Sequence, residues 1–287
     1  MMDRATGIKA VDLFLKNRVF REEQYLISFL GGEPLINFEL IKEVVLYTKK
    51  TYPIRDIEFL ILTNGSLLTR QSAKFIKEHC IRVRITCDLG KSNWKRIVSH
   101  LVGYEFVGMG FVLANVGIEG LYANFLKVHR LGIKRFYFCP EFLYSKWKRR
   151  ELLELSVQIK KIAKFLSRNR LSNKLFISYL HDEGQQLKYL DSRESFQKEI
   201  CIIQELLHGN FVVMPNGDLF SCDIGTFVSE ELYEKNKLGS LACKVSFRNM
   251  FEKLRSLYGK TEITHIPCLQ PELIKRKRQL AEVLNSG

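Results

Sequence analysis

The feature that most limits how this chain can fold is a repeat of short apolar strand segments, each followed by an amphipathic helical segment. Strands are predicted at Tyr25–Leu30, Ile57–Leu62, Ile81–Cys87, Phe106–Leu113 and Arg135–Cys139, all rich in β-branched, aromatic or leucine residues. They begin 24 to 32 residues apart, which leaves room for one right-handed crossover helix between parallel neighbours. The fold class that follows is α/β with a parallel sheet.

The intervening helices carry their own signals. Asn37 is expected to N-cap Phe38–Lys50, where Phe38, Ile41, Val45 and Thr48 share a face, and Thr69 is expected to open a helix running through Glu78. Further on, Leu152, Leu155, Ile159, Ile162 and Leu166 lay an apolar stripe along one side of a helix, with Lys160, Lys161 and Lys164 off it. The chain opens on a helix, Ile8–Lys16, before any strand, as though a first strand were missing. Past residue 171 the rhythm changes to a strand at Leu175–Leu180, a polar connection, and two strands at Phe211–Met214 and Leu219–Cys222. These last flank Pro215-Asn216-Gly217-Asp218, and Asn-Gly is a strong hairpin signal. Two domains are therefore expected, 1–172 and 173–287.

Bulk properties narrow the function. The chain has 287 residues, 46% hydrophobic and 26% charged, which suits a folded domain with a smaller companion. Its longest uncharged stretch, Phe106 to Ile118, is too short to cross a bilayer, and the first residues lack the succession of a secretory signal. A cytoplasmic protein without a membrane partner is expected. The seven cysteines are irregularly spaced and read as thiols or metal ligands rather than a disulfide framework. Cys80, Cys87, Cys139 and Cys243 are read as packing residues. The net charge of +14, with basic runs at 146–150 and 275–278, is read first as a solvated basic surface, and as one able to attract nucleic acid or an acidic peptide. No nucleic-acid motif accompanies those runs, so nucleic acid is not expected as a partner.

In parallel α/β architectures the loops after the C-terminal strand ends gather at one face, where ligands bind. Here they hold Gly31-Gly32-Glu33-Pro34, then Thr63-Asn64-Gly65, Asp88-Leu89-Gly90, Asn115 and Pro140-Glu141. Two glycines let backbone approach a ligand, a glutamate offers a carboxylate to an amine, and a proline stiffens the exit. Other chemistries find no support: there is no GxSxG, HExxH, phosphate loop or complete GxGxxG. His181-Asp182-Glu183 reads as a solvated loop.

The segments Phe29-Leu30-Gly31-Gly32-Glu33-Pro34-Leu35, Leu62-Thr63-Asn64-Gly65-Ser66-Leu67-Leu68-Thr69 and Ile85-Thr86-Cys87-Asp88 together resemble the radical S-adenosylmethionine (radical SAM) superfamily. Within it the similarity is to SPASM/twitch enzymes that mature peptides and proteins, including sulfatase-maturing enzymes. The resemblance implies a partial (β/α)6 barrel missing its first strand, followed by a small α+β SPASM/twitch-like domain with a β-hairpin. It implies S-adenosylmethionine as cofactor, held by Gly31, Gly32, Glu33 and Pro34, with Asn64 and Asp88 as further candidates at the rim. It also implies a peptide or protein substrate and an electron donor for an active form.

The departure is that the superfamily's CxxxCxxC loop, which holds its catalytic [4Fe-4S] cluster, matches none of the seven cysteines. The chain is accordingly expected to be an N-terminally truncated form, unable to cleave S-adenosylmethionine alone. The alternative is a non-catalytic pseudoenzyme or peptide-binding partner protein. In the second domain, Cys201, fifteen residues, Gly217, four residues and Cys222 match the opening CX(9-15)GX(4)C of the SPASM/twitch pattern. Cys201, Cys222 and Cys268 are the candidate ligands of one auxiliary [4Fe-4S] cluster.

Overall fold

The structure is a computed structural model that describes residues 1–16, 24–53, 56–88, 94–113, 117–140, 148–172, 174–177, 211–221, 230–246, 248–250 and 252–253. The chain divides into two compact units, 26–36 with 57–192 and 275–287, and 1–25 with 37–56 and 193–274.

A six-stranded parallel sheet runs in sequence order through β1 (Gln24–Phe29), β2 (Asp56–Thr63), β3 (Arg82–Asp88), β4 (Val107–Leu113), β5 (Arg135–Pro140) and β6 (Phe176–Ile177). The register is fixed by pairs such as Ile61 with Val83, Ile85 with Met109 and Phe111 with Phe138. The five expected strands are all present, and β6 is the described part of the strand expected from Leu175. Side chains alternate across the sheet. Phe59, Ile61, Val83, Ile85, Met109, Phe111, Phe136 and Phe138 are buried on one face, and the other face carries Leu60, Leu62, Arg82, Arg84, Thr86 and Tyr137.

Three helices in this unit show how sequence sets local structure. α3 (Arg70–Glu78) opens with a capping box, in which Ser72 N donates to Thr69 Oγ1 (3.1 Å) and Thr69 N donates to Ser72 Oγ (2.9 Å). α4 (Trp94–Ser99) follows β3, and α5 (Leu121–His129) and α6 (Arg149–Arg168) pack on each other. All five leucines and isoleucines of the predicted α6 stripe are buried. Phe125 meets Phe136 at 4.7 Å and Phe165 at 5.9 Å between ring centroids, a geometry that adds to area burial. Gln158, also buried, accepts from Tyr122 N (3.1 Å) and donates to Glu154 (2.7 Å), so its amide is paired.

In the other unit, α1 (Arg4–Lys16) packs against α2 (Phe38–Thr51). The contact is close at Gly7, where an added Cβ would lie 3.1 Å from Val44 and 3.2 Å from Leu40. The predicted α1 stripe is rotated slightly: Gly7, Val11 and Leu15 are buried and Ile8 is only partly so. Asn37 precedes α2 as expected but makes no side-chain cap. One turn of 3-10 helix, Pro34–Asn37, already leads into α2, and Asn37 Nδ2 instead donates to Met2 O at 2.8 Å.

The predicted hairpin is formed by β7 (Val212–Val213) and β8 (Asp218–Phe220), with Val213 opposite Leu219 and Gly217 at φ +85. After α7 (Glu230–Asn236), β9 (Gly239–Ser240) adds a third strand that the sequence pattern does not foreshadow. Asp218 is the polar hub here, 5% exposed. It accepts from Asn216 Nδ2 (2.9 Å) and Tyr233 OH (3.1 Å) and pairs with Lys237 Nζ (3.1 Å). Among the described residues no helix is long and apolar enough to cross a membrane.

Cys80 and Cys243, read as packing residues, are exposed thiols. Cys80 sits at φ +55 just past α3, where Ile81 N donates to Ile76 O at 2.9 Å in a Schellman closure. That left-handed position points the side chain outward and favours glycine. The side chains of Cys87 and Cys139 lie outside the described residues.

Two outcomes are expected. Cys80→Gly stabilises the chain by about 1 kcal/mol in urea denaturation, because glycine removes the left-handed strain. For Asp218, burial raises the carboxyl pKa, but hydrogen bonds from Lys237 and Tyr233 outweigh it and hold the group below its usual range. Its stabilisation is therefore present above the ordinary carboxylate pKa, about 3.9, and is lost as pH falls through the lower folded value. Asp218→Asn then costs roughly 1–3 kcal/mol at pH 7, and the gap to the unaltered chain narrows below about pH 4, read from denaturation curves at both pH values.

Candidate functional site

The loop leaving β1 turns at Gly31, whose φ of +135 is open to glycine alone without strain. Gly31 and Gly32 are exposed, and a Cβ built on either would meet nothing within 4 Å. The backbone there is therefore approachable by a ligand.

Glu33 follows and is half-buried. Its Oε1 accepts from Thr63 Oγ1 at 2.6 Å and from Leu35 N at 3.0 Å, and its Oε2 accepts from Asn64 N at 2.9 Å. One carboxylate thus ties the loop after β1 to the loop after β2. An ionised carboxylate offers about four acceptor positions, and the described residues take three. Among them Glu33 is a brace between loops with one acceptor position left for a further donor, such as an amine. Pro34 begins the 3-10 turn and presets its φ.

The second loop is built as tightly. Thr63, 2% exposed, also accepts from Gly65 N at 2.8 Å. Asn64 is exposed, its Oδ1 accepts from Ser66 N at 2.8 Å, and its Nδ2 has no acceptor among the described residues. Gly65 has φ +72, and a Cβ there would fall 2.3 Å from Ile97 Cγ2. Conformation and space both exclude a side chain.

The structure brings Gly31, Gly32, Glu33, Pro34 and Asn64 together through the Glu33 bonds. Asp88 ends β3, in register with Val112, and its side chain lies outside the described residues. Cys201, Cys222 and Cys268 also lie outside them. Among the described residues no group of three or more His, Cys, Asp and Glu side chains could hold a metal. The residue whose role sequence reasoning missed is Thr63, which sits in the quoted Thr-Asn-Gly turn. Its inward-pointing strand position next to a predicted buried run was the available signal.

Set beside solved structures, the whole chain overlays on the sulfatase maturase anSMEcpe with bound S-adenosylmethionine and Kp18Cys peptide, with a TM-score of 0.68 and 16% identity over 89% of that chain. It matches Streptococcus suis SuiB bound to S-adenosylmethionine with a TM-score of 0.55 and 15% identity, covering 87% of this chain and 60% of SuiB. The chain has a radical SAM fold. The six parallel strands and the small antiparallel sheet agree with a partial radical SAM barrel and a second small domain.

Sequence similarity to the curated relatives is local. An uncharacterised protein of Methanocaldococcus jannaschii is 39% identical over 87 residues, 30% of this chain and 29% of the relative. The radical SAM cyclopropyl synthase TigE of Paramaledivibacter caminithermalis is 34% identical over 62 residues, 22% of this chain and 13% of that enzyme. These matches span well under two thirds of either relative. No family model matches the chain. Within this radical SAM fold, the loop carrying Gly31 to Pro34 sits at the C-terminal end of a parallel strand, the position at which α/β sheets bind ligands.

The bracing role of Thr63 is testable. Thr63→Val keeps the shape but removes the donor to Glu33 and the acceptor for Gly65 N, so it is expected to cost roughly 1–3 kcal/mol in urea denaturation. Thr63→Ser, which keeps the hydroxyl, is expected to lose less.

Proposed function

We propose that this chain acts in radical SAM modification of a peptide or protein side chain, with S-adenosylmethionine held at the rim of Gly31, Gly32, Glu33 and Pro34. Asn64 and Asp88 complete that rim. The observation that carries the reading is the exposed, sterically open Gly31-Gly32 backbone after the first strand, in a fold shared along its whole length with an enzyme solved with S-adenosylmethionine and a peptide. The likeness to SuiB, which has also been solved bound to its precursor peptide SuiA, points the same way.

The chain's own groups suit the cofactor's methionyl end. The open glycine backbone admits it, the fourth acceptor position of Glu33 suits an ammonium group, and the Asn64 Nδ2 amide, without an acceptor among the described residues, can donate. Bound S-adenosylmethionine would supply the sulfonium whose reductive cleavage starts the superfamily's chemistry. The substrate would lie over the same rim. An auxiliary [4Fe-4S] cluster is assigned to Cys201 and Cys222 on their spacing around Gly217, with Cys268 as a third candidate ligand that no spacing supports, and an external electron donor would serve the active form.

No three of the seven cysteines have the CxxxCxxC spacing, so within the proposal these 287 residues bind S-adenosylmethionine but do not cleave it unaided. Equilibrium dialysis with labelled S-adenosylmethionine tests the first part. Gly32→Val has open space around its Cβ, so it is expected to leave the melting temperature unchanged while lowering affinity about tenfold or more, roughly the 1.4 kcal/mol that a crowded contact costs. Absence of binding, or binding untouched by Gly32→Val, would sink the assignment. Anaerobic reconstitution with iron, sulfide and a reductant is expected to give no 5'-deoxyadenosine, and its appearance would overturn the claim about cleavage.

A further inference from the structure

The face of the sheet opposite the buried one carries an arginine that nothing above explains. Arg84 of β3 lies in register with Gly108 of β4, and Gly110 of β4 lies in register with Tyr137 of β5. With glycine at both β4 positions, no side chain separates β3 from β5 on that face. Arg84 crosses the gap and places its Cζ 3.7 Å from the centroid of the Tyr137 ring. The space is needed: a Cβ at Gly108 would come within 2.6 Å of Tyr137 Cε2, and one at Gly110 would touch the Arg84 stem at 3.5 Å.

Among the described residues no carboxylate compensates the charge on Arg84. Its neighbour Arg82 is paired with Glu58, whereas Arg84 has no carboxylate within ion-pair distance among the described residues. Its Nε is buried without a hydrogen-bond partner. A buried donor left unpaired costs free energy and calls for an explanation. The Nε is buried and unpaired among the described residues, and a carboxylate taken side-on, by Nε and one Nη, would give it the acceptor it lacks. A planar guanidinium fixed by stacking presents a preset fork to a carboxylate. Thr86, exposed on the same face of β3, lies two residues nearer the strand end.

We propose that Arg84, stacked on Tyr137 across the bare Gly108–Gly110 strip, binds the carboxylate of an Asp or Glu side chain in the peptide ligand. The proposal rests on the peptide-modifying reading and specifies which peptides that site takes. The net charge of +14 favours the approach of an acidic peptide. The stacked arginine then fixes one acidic residue in register on the sheet.

The test uses the full chain and two labelled pools of ten-residue peptides, random except for a central Glu in one and a central Gln in the other, with binding read by fluorescence anisotropy. The Glu pool is expected to bind at least fivefold tighter. Arg84→Gln is expected to bring the ratio to one. Arg84→Lys, which keeps the charge but not the planar fork, is expected to reduce the preference at least twofold and serves if Arg84→Gln does not fold. Equal affinity for the two pools, or a preference unchanged in either variant, overturns the role of Arg84 and leaves peptide binding standing. Failure of both pools to bind overturns the peptide-modifying reading along with it.

Discussion

The carboxylate of Glu33 ties together two loops that the parallel sheet only brings near each other. Its three internal hydrogen bonds reach Leu35 within its own turn and Thr63 and Asn64 on the next strand's exit. Parallel strands give no direct connection between adjacent loops, since each is separated from the next by a helix. A buried or half-buried carboxylate with several donors supplies that connection, and charge-assisted hydrogen bonds are the stronger kind. The exposed glycines can remain open to a ligand because the residues just after them are held.

Much of the parallel unit was legible in the sequence because its signals are local. Strand runs with β-branched and aromatic residues bury both faces or one, and the α6 stripe repeats at helical spacing, so neither needs distant partners to be recognised. The capping box of Thr69 and Ser72 and the hairpin at Asn216-Gly217 depend on a few neighbouring residues as well. What was not legible depends on long-range geometry. Asn37 has a capping residue's identity, but the 3-10 turn before it and the nearness of Met2 redirect its side chain. Cys80 looks like an apolar filler until the left-handed turn at the end of α3 puts it outside. The third strand of the small sheet has only two residues and no sequence signature of its own.

The candidate site divides in the same way. Gly31, Gly32, Glu33 and Pro34 were picked out by their place after a strand, and the turn at Asn64 by its Asn-Gly pair. The role of Glu33 as a brace was not legible, because it requires Thr63, thirty residues away, to arrive beside it. Arg84 was invisible for a related reason. An arginine inside a strand looks like an ordinary edge or surface charge until the register shows two glycines beside it and a tyrosine beyond them.

The glycines of the rim differ in what they permit. Gly32 has vacant space where a side chain would go, Gly31 has the space but not the backbone conformation, and Gly65 has neither. A side chain at Gly32 would therefore be felt by a ligand and not by the fold, whereas one at Gly65 would be felt by the fold itself. Binding and folding are thus separable at the rim, glycine by glycine.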